Sequence, residues 1–449
     1  MSSAVQGGVF SPERRALTLG IIISVLLIAF ESLAVATVLP QVTRELNGLS
    51  LYGWSFSAFF VGFMISTVAL GAWADRSGPA WPYLTATVAF GAGLLIAGLA
   101  GSMPVFILGR AVQGFGGGAV IAVTYLAINR AFPDQLRARV LALMSSAWVL
   151  PGLIGPAAAS ALAAALSWRA VFLALLPLLL LAGLLTLPAL LQLPAAGTRV
   201  SRARLVAVVL VAGGVVLLLT ALQRPLAQAL PLGALGAALA VPGVARLYGW
   251  GTARLATPLY AGFAVRFLLT FGFFGAEALV PLGLNELRGL TLFQAGLALT
   301  AATLGWSTSA FIHSRLDERT GGQYRPLVVG LGGIVIAVSV ALTGLLIHST
   351  LPILLVALSW ALGGAGMGFV FQAHTLVVLR GSPEGQEGLI SGNLQLADMV
   401  GSALGAGLGG ALVAGLGVSR GSLLHLELAA LVLLAVAAVA PKLRAVRSG

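Results

Sequence analysis

Long apolar runs, separated by short polar segments, dominate the chain. A helix needs roughly 20 mostly apolar residues to cross the hydrocarbon core of a bilayer. The runs reach that length and predict fourteen transmembrane helices, which we number spans 1 to 14. The spans cover residues 17–39, 54–73, 82–101, 104–126, 138–165, 168–192, 204–222, 228–246, 258–284, 291–312, 326–347, 352–378, 388–416 and 421–440.

Composition indicates that lipid is the main solvent of this chain. Hydrophobic residues make up 59% of the sequence and charged residues 8%, whereas soluble domains carry about 25% charged residues. The formal net charge is +12, but the basic residues stand singly between apolar runs, so nucleic acid is not expected as a partner. Cysteine is absent and only four histidines occur, so neither disulfides nor a metal centre is expected.

The first apolar run predicts a span and not a cleaved signal peptide, because it continues to about Leu39, contains Glu31 and lacks a small-residue cleavage site.

The distribution of basic residues predicts the orientation of the chain in the membrane. With the N-terminus inside, eighteen of the 25 Lys and Arg residues fall in cytoplasmic segments and five in outer loops. The outer ones are Arg44, Arg169, Arg224, Arg288 and Arg420, and two lie within spans, Arg110 and Arg266. This asymmetry predicts a multi-pass protein of the cell (cytoplasmic or inner) membrane with both termini cytoplasmic, but does not separate twelve spans from fourteen.

The two halves of the sequence resemble each other. Residues 40–52 align without a gap to residues 281–293 at an offset of 241, and residues 108–118 align to 358–368 at 250. Equivalent segments share one orientation, which predicts two six-helix half-bundles related by a parallel pseudo-twofold axis along the membrane normal. The offset exceeds the length of six spans, so an inserted helix pair is expected between the halves. The predicted domains are a half-bundle at 1–195, the inserted pair with its linkers at 196–255 and a half-bundle at 256–449.

The loop after span 2 reads Gly71-Ala-Trp-Ala-Asp75-Arg76-Ser-Gly78 and resembles the signature loop of the major facilitator superfamily. The resemblance implies a gating role for Gly71, Asp75, Arg76 and Gly78, in which the acid meets a helix N-terminus and arginines of the other half-bundle. The family usually continues with basic residues, whereas Pro-Ala-Trp follows here, so part of that charge network must be weaker or relocated. An ordinary capped turn is the alternative.

Span 4 carries Arg110-Ala-Val-Gln113-Gly114, which resembles the RxxQG motif of the same family. A guanidinium is costly in lipid and usually faces a polar interior. Trp360 occupies the position of Arg110 in the second half, so the arginine is expected to serve function more than packing. A purely structural role stays open.

Span 5 carries Pro151-Gly-Leu-Ile-Gly155-Pro156 and is similar to the antiporter motif of drug exporters in this superfamily. That motif usually ends in paired glycines, where Ala159 and Ser160 stand here. The resemblance implies the branch of 14-span drug:proton antiporters. The alternative is plain packing, because Gly, Ala and Pro are frequent in transmembrane helices.

Four acids lie within predicted spans: Glu31, Glu277, Asp398 and Glu427. A charge at the bilayer centre costs about 2.5–3.5 kcal/mol or more, so each is a functional candidate. Glu31 is the favoured proton-coupling residue, with Arg110 as its modulator; the alternative is that Glu31 serves as a fixed partner of Arg110. Asp398 is the reserve coupling site and Glu277 a further candidate. Glu427 lies near a helix end, from which its side chain can reach the interface.

These observations favour a secondary transporter over an enzyme. The resemblance implies a midplane cavity lined by spans 1, 4, 5, 9 and 13, and its candidate residues are Gln113, Trp148, Phe274, Asn393 and Gln395. No GxxxxGK[ST] loop occurs, so ATP is not expected and the proton is the expected coupling ion, with no cofactor. The leading hypothesis is a proton-coupled exporter of amphipathic or lipophilic small molecules. The alternatives are a metabolite or lipid transporter working by symport or uniport, and a non-transporting sensor or assembly factor that kept the fold.

Overall fold

The computed structural model describes residues 8–195, 201–383 and 386–443, and the regular structure within these ranges is helical. Arg199, Arg444 and Arg447, which were predicted to be cytoplasmic, lie outside the described residues. The helices are α1 Arg15–Glu45, α2 Trp54–Ser77, α3 Ala80–Gly98, α4 Met103–Ala131, α5 Asp134–Ala165, α6 Trp168–Leu173, α7 Leu175–Leu190, α8 Arg202–Ala221, α9 Leu226–Tyr248, α10 Gly251–Arg254, α11 Pro258–Arg288, α12 Leu292–Thr320, α13 Arg325–Ile347, α14 Ile353–Arg380 and α15 Glu387–Val439.

Thirteen stretches of helix within the described ranges are long and apolar enough to cross a membrane. Helices α6 and α7 together form one of them, Trp168–Leu190. Helix α15 has 53 residues, and Gly417 within it is non-helical, with φ 78° and ψ 168°. This glycine falls between predicted spans 13 and 14, where a backbone reversal is compatible with two crossings. The chain is an all-helical, multi-pass membrane protein, and the count of fourteen stays a prediction.

Several helices extend beyond their predicted spans because polar residues also favour helix at their ends. Helix α1 continues through Pro40 to Glu45. Helix α12 begins at a capping box, in which Thr291 and Gln294 satisfy each other's backbone groups, and ends at Gly321 in the left-handed region. Hydropathy marks only the apolar part of such helices.

The chain forms two compact units. Unit 1 comprises Met1–Val38 and Val61–Val206, and unit 2 comprises Leu39–Phe60 and Ala207–Gly449. Unit 2 therefore includes α9, most of α8 and a segment that joins α1 to α2, in addition to the second predicted half-bundle. The predicted boundaries at 195/196 and 255/256 do not coincide with this division.

Glycines in unit 1 allow α4 to approach its neighbours closely. A Cβ at Gly116 would lie 2.3 Å from the Phe90 backbone nitrogen, and one at Gly109 would lie 2.5 Å from the Ala97 nitrogen. The glycines on both sides of Arg110 thus allow backbone contact between α3 and α4.

Helices α11 and α15 cross in unit 2 at Gly275 and Gly405, where a Cβ on Gly275 would lie 2.9 Å from Gly405. Beside this crossing, Phe273 stacks on Trp360 with ring centroids 5.0 Å apart and an interplanar angle of 2°. Both rings are fully buried, so the residue that replaces Arg110 in the second half is a core aromatic.

Candidate functional site

The centre of unit 1 holds a charged pair formed by Glu31 of α1 and Arg110 of α4. The Arg110 Nη1 donates to Glu31 Oε1 and also to Gln113 Oε1 at 3.0 Å. The Gln113 amide in turn donates to Glu31 Oε1 at 3.4 Å. The three side chains that the sequence singled out on two different spans therefore form one hydrogen-bonded cluster.

This cluster is sealed from solvent. The side chains of Arg110 and Glu31 are 3% and 1% exposed, and Gln113 is fully buried. Glu31 Oε2 has no hydrogen-bond partner within the described part of the chain. A buried carboxylate oxygen that lacks a partner is a position where a proton can bind, and protonation would weaken the hold of Glu31 on Arg110. The geometry shows Glu31 as a partner of Arg110, and its role as the proton-coupling residue stays a prediction.

Unit 2 holds a second buried pair, between Arg266 of α11 and Asp398 of α15. Arg266 Nε lies 3.0 Å from Asp398 Oδ1, and its Nη2 donates to the Thr375 hydroxyl of α14 at 3.2 Å. The guanidinium carbon lies 3.6 Å from the centroid of the Phe371 ring. A planar cation held by a carboxylate and an aromatic face is favourable in a desolvated site.

The two pairs are not repeat equivalents. Gly272 lies 241 residues after Glu31, and Trp360 lies 250 residues after Arg110, so unit 2 takes its acid and its arginine from different positions. They also differ in access: the Asp398 side chain is 15% exposed against 1% for Glu31. Each unit thus carries an ion pair whose arginine lies within a predicted span, and one of these two pairs is sealed while the other is partly accessible.

The motif predicted as the loop after span 2 lies mostly in the last turns of α2, which continues to Ser77, and its acid is paired within unit 1. Asp75 pairs with Arg130 of α4 at 3.3 Å, and Arg130 also donates to the Pro194 carbonyl at 2.9 Å. The partner of Asp75 recorded here thus belongs to its own half of the sequence, whereas the resemblance implied arginines of the other half. Arg76 is exposed, and Gly78 has φ +92°, a conformation that favours glycine.

Gly71 begins the same loop motif but makes no close approach in this structure. A Cβ added there would meet only the Ala122 Cβ at 3.8 Å, which is ordinary van der Waals contact. The conformation described here therefore gives no steric reason for a glycine at this position.

The antiporter-like motif of α5 packs next to the charged cluster. Pro151, Gly155 and Pro156 are buried, and a Cβ at Gly155 would lie 3.7 Å from the Phe30 ring and 3.8 Å from Leu33 Cβ. Because those two residues flank Glu31 on α1, the motif supports the turn of α1 that carries the buried acid.

The remaining predicted residues lie in different environments. Gln113 belongs to the buried cluster. Trp148 is exposed on α5, while Phe274 of α11 and Gln395 of α15 are partly buried. Asn393 is buried and donates to the Leu247 carbonyl at 3.0 Å, which engages its side chain with α9.

The two other acids also differ. Glu277 of α11 is partly buried and, in the described part of the chain, makes no hydrogen bond or ion pair. Glu427 is exposed on α15. Within the same ranges, no group of three or more His, Asp or Glu side chains could hold a metal ion.

Two ion pairs are among the contacts that sequence reasoning missed. It did not pair Arg266 with Asp398, because hydropathy does not show which helices are adjacent. It also left Arg44 as an outer-loop residue, although this side chain donates to Asn285 at 2.6 Å and Glu286 at 2.7 Å. The repeat alignment carried a signal for the second contact, because equivalent positions close to a twofold axis approach each other.

Comparison with known proteins supports these observations. A sequence model of the Major Facilitator Superfamily matches residues 20–406. The chain is 26% identical over 399 residues to a Mycobacterium tuberculosis protein named a probable multidrug-efflux transporter, covering 83% of this chain and 82% of that protein. It is 25% identical to the multidrug transporter protein MdtP of Bacillus subtilis, covering 88% of this chain and 74% of that protein.

Solved structures show the same fold at low identity. The human organic anion transporter MFSD10 superposes with a TM-score of 0.64 at 16% identity, covering 96% of this chain and 100% of that one. A POT family transporter in complex with 5-aminolevulinic acid superposes with a TM-score of 0.68 at 14% identity, covering 95% and 96%.

Proposed function

The chain belongs to the Major Facilitator Superfamily, and on that premise we propose that it is a proton-coupled exporter of amphipathic or lipophilic small molecules. Two of its relatives are named multidrug transporters, which supports export of such compounds. The observation that carries the proton coupling is the sealed cluster of Glu31, Arg110 and Gln113. We place the protein in the cell membrane, with both termini cytoplasmic.

In this proposal, Glu31 alternates between an ionised form that holds Arg110 and a protonated form that releases it. Because Glu31 lies on α1 and Arg110 on α4, the ionised pair ties these helices together, and protonation weakens the tie. Substrate and proton then favour different conformations of the protein. A ligand shifts such an equilibrium only by its difference in affinity for the two states.

Protonation of the Glu31 carboxylate must therefore be linked to binding or release of the substrate. Proton entry down its gradient would drive the outward step of substrate transport by alternating access. The buried motif of α5 beside Phe30 and Leu33 would transmit the change, because α5 packs on the same turn of α1.

Inverted membrane vesicles test this function directly. Their lumen corresponds to the cell exterior and can be acidified by respiration. Adding a transported compound outside should release protons from the lumen, seen as recovery of the fluorescence of a pH-sensitive dye, and only in vesicles that contain the protein. A uniporter would move the compound without altering lumenal pH, and a symporter would shift that pH in the opposite sense; either result would overturn the antiport proposal.

A further inference from the structure

The helix α8, which belongs to the predicted inserted pair, contacts α15 near its own C-terminal end. Leu219 of α8 is only 2% exposed, whereas Val209 on the same helix and Leu230 on α9 are exposed. The Leu219 side chain covers Gly407 of α15, because a Cβ added to this glycine would lie 2.9 Å from Leu219 Cδ1. The absence of a side chain at Gly407 therefore provides the space that the leucine occupies.

The same glycine of α15 also meets the start of α2. A Cβ on Gly407 would lie 2.8 Å from Ser57 Oγ, and the Ser57 hydroxyl donates to the Ala403 carbonyl of α15 at 2.7 Å. Four residues earlier, a Cβ on Gly53 would lie 2.6 Å from the Ala406 carbonyl oxygen. We call this close approach the α2–α15 contact, and the leucine of α8 packs beside it.

Hydrogen bonds attach the inserted pair at both of its ends. In the turn that follows α8, the Gln223 amide donates to the Ser50 carbonyl at 3.2 Å, just before α2 begins. At the last residue of α9, the Tyr248 hydroxyl donates to the Asn393 carbonyl of α15 at 3.1 Å. The Asn393 amide donates to the Leu247 carbonyl at 3.0 Å. The pair is thus attached to α15 at one end, and to both α15 and the segment before α2 at the other.

The α2–α15 contact joins the two sequence repeats, because α2 belongs to the first repeat and α15 to the second. Alternating access rocks one repeat against the other, so a contact between repeats on one side of the membrane opens in part of the cycle. In the proposed orientation α8 ends on the outer side, which places this contact there. Packing is a main force between helices in lipid. A buried leucine beside the contact therefore stabilises the conformation in which the contact is closed.

We propose that the inserted pair is a brace for the outer side of the protein, in which Leu219 and Gln223 hold the α2–α15 contact closed. A side chain shifts a conformational equilibrium only by the difference between its interactions in the two states. Leu219 packs against α15 in the closed state and loses this contact when α2 and α15 separate. This inference rests on the alternating-access part of the proposed function, and it is independent of proton coupling and of the substrate.

The distance between two spin labels, measured by pulsed EPR on the purified full-length protein, reports the proposed equilibrium. Leu49 and Leu416 are 37% and 48% exposed, and the chain has no cysteine, so Leu49→Cys with Leu416→Cys carries one label at each position. Leu49 precedes α2, and Leu416 adjoins the non-helical Gly417 of α15. A closed α2–α15 contact gives a short distance and an open one a longer distance. The measurement needs neither a pH gradient nor a substrate, so it remains decisive if the proposed proton coupling fails.

Leu219→Ala should raise the ratio of long to short distances by about tenfold or more, because truncating a buried leucine removes packing that the closed state alone has. Leu219→Met keeps the side-chain volume and should hold the ratio within about twofold. Gln223→Ala removes one hydrogen bond and should raise the ratio by about threefold. Leu222→Ala is the matched control, since it truncates a leucine of the same segment that is 49% exposed, and it should leave the ratio unchanged.

A second pair of substitutions tests whether Leu219 acts through its contact with Gly407. Gly407→Ala adds a methyl group where the leucine lies, so this variant should favour the open state. Adding Leu219→Ala to Gly407→Ala should restore part of the closed population, whereas an additive rise of the ratio in the double variant would contradict direct packing. An unchanged ratio in Leu219→Ala, or an equal rise in Leu222→Ala, would overturn the brace. If Leu219→Ala does not fold, Gln223→Ala decides, because its side chain is partly exposed and an unchanged ratio there would also contradict the proposal.

Discussion

The Arg44 guanidinium donates a hydrogen bond of 2.6 Å to the side chain of Asn285, the residue at the equivalent position of the second repeat. Arg44 also pairs with Glu286 at 2.7 Å. Both side chains of this ion pair are well exposed, so the pair contributes about 1 kcal/mol or less to stability. The pair matters for conformational change, because it joins the C-terminal ends of α1 and α11.

Locking these two positions together should stop transport if the contact opens during the cycle. The chain has no cysteine, so replacing Arg44 and Asn285 by cysteine gives a protein with two thiols, one at each position. A short bifunctional thiol reagent can then cross-link them. We expect export to fall to background after cross-linking and each single-cysteine protein to keep its activity under the same treatment. Full export by the cross-linked protein would show that the contact persists throughout the cycle.

The pair formed by Asp75 and Arg130 should support transport more than stability. It is partly exposed, so its loss is expected to slow export by about fivefold or less, equivalent to about 1 kcal/mol. Asp75→Asn and Arg130→Ala should have similar effects, and the double variant should be no worse than either. The control is Asp134→Asn, which breaks a helix-surface pair with Arg137 and should leave export unchanged. Equal effects of Asp75→Asn and Asp134→Asn would make the Asp75 loop an ordinary surface turn.

Two glycines of unit 1 should respond differently to alanine. A Cβ at Gly116 would lie 2.3 Å from the Phe90 backbone, so Gly116→Ala should destabilise the protein by about 1–3 kcal/mol. The Cβ added in Gly71→Ala would meet only the Ala122 Cβ, at 3.8 Å. This variant should therefore keep the unfolding temperature of the unmodified protein. If Gly71→Ala nevertheless slows export, another conformation needs the small residue. Equal unfolding temperatures for both variants would contradict the close packing of α3 and α4.

The number of spans can be measured by labelling single cysteines from outside intact cells. In the fourteen-span topology, cysteines at Ala227 and Ser419 should react with a membrane-impermeant reagent, and one at Gly251 should react only after permeabilisation. Ser419 follows the non-helical Gly417 and tests whether α15 crosses twice. A cytoplasmic Ala227 would rule out the inserted pair as two crossings.

The length of the apolar runs was sufficient to predict the helical membrane fold, since lipid forces nearly every backbone group into helix. It was not sufficient to place every boundary. Helix α1 runs on to Glu45, although apolar residues end near Leu39, because a helix does not stop where the hydrocarbon does. At Gly417 the apolar sequence does not mark a boundary, and only the non-helical backbone of this glycine shows where α15 is interrupted.

Contacts within the candidate site could be anticipated where a motif carried chemistry but not where only adjacency mattered, and the roles assigned to the site residues stay predictions. Glu31 and Arg110 drew attention as charges within apolar runs, and they pair in the structure. Asp398 and Arg266 stood out for the same reason, but 132 residues separate them in the sequence. Nothing in the sequence indicates that α9 packs beside Asn393, so the engagement of this side chain with Leu247 was not foreseen.

The most direct test of the account is export driven by a pH gradient, measured in inverted vesicles for Glu31→Gln beside Asp398→Asn. Glu31→Gln keeps the shape of the side chain but cannot exchange a proton, so gradient-driven uptake should fall to the level of vesicles without the protein. Asp398→Asn should retain gradient-driven uptake, because coupling is assigned to the sealed cluster of unit 1. Normal uptake by Glu31→Gln together with loss in Asp398→Asn would contradict the account and place the coupling proton at the pair of Arg266 and Asp398.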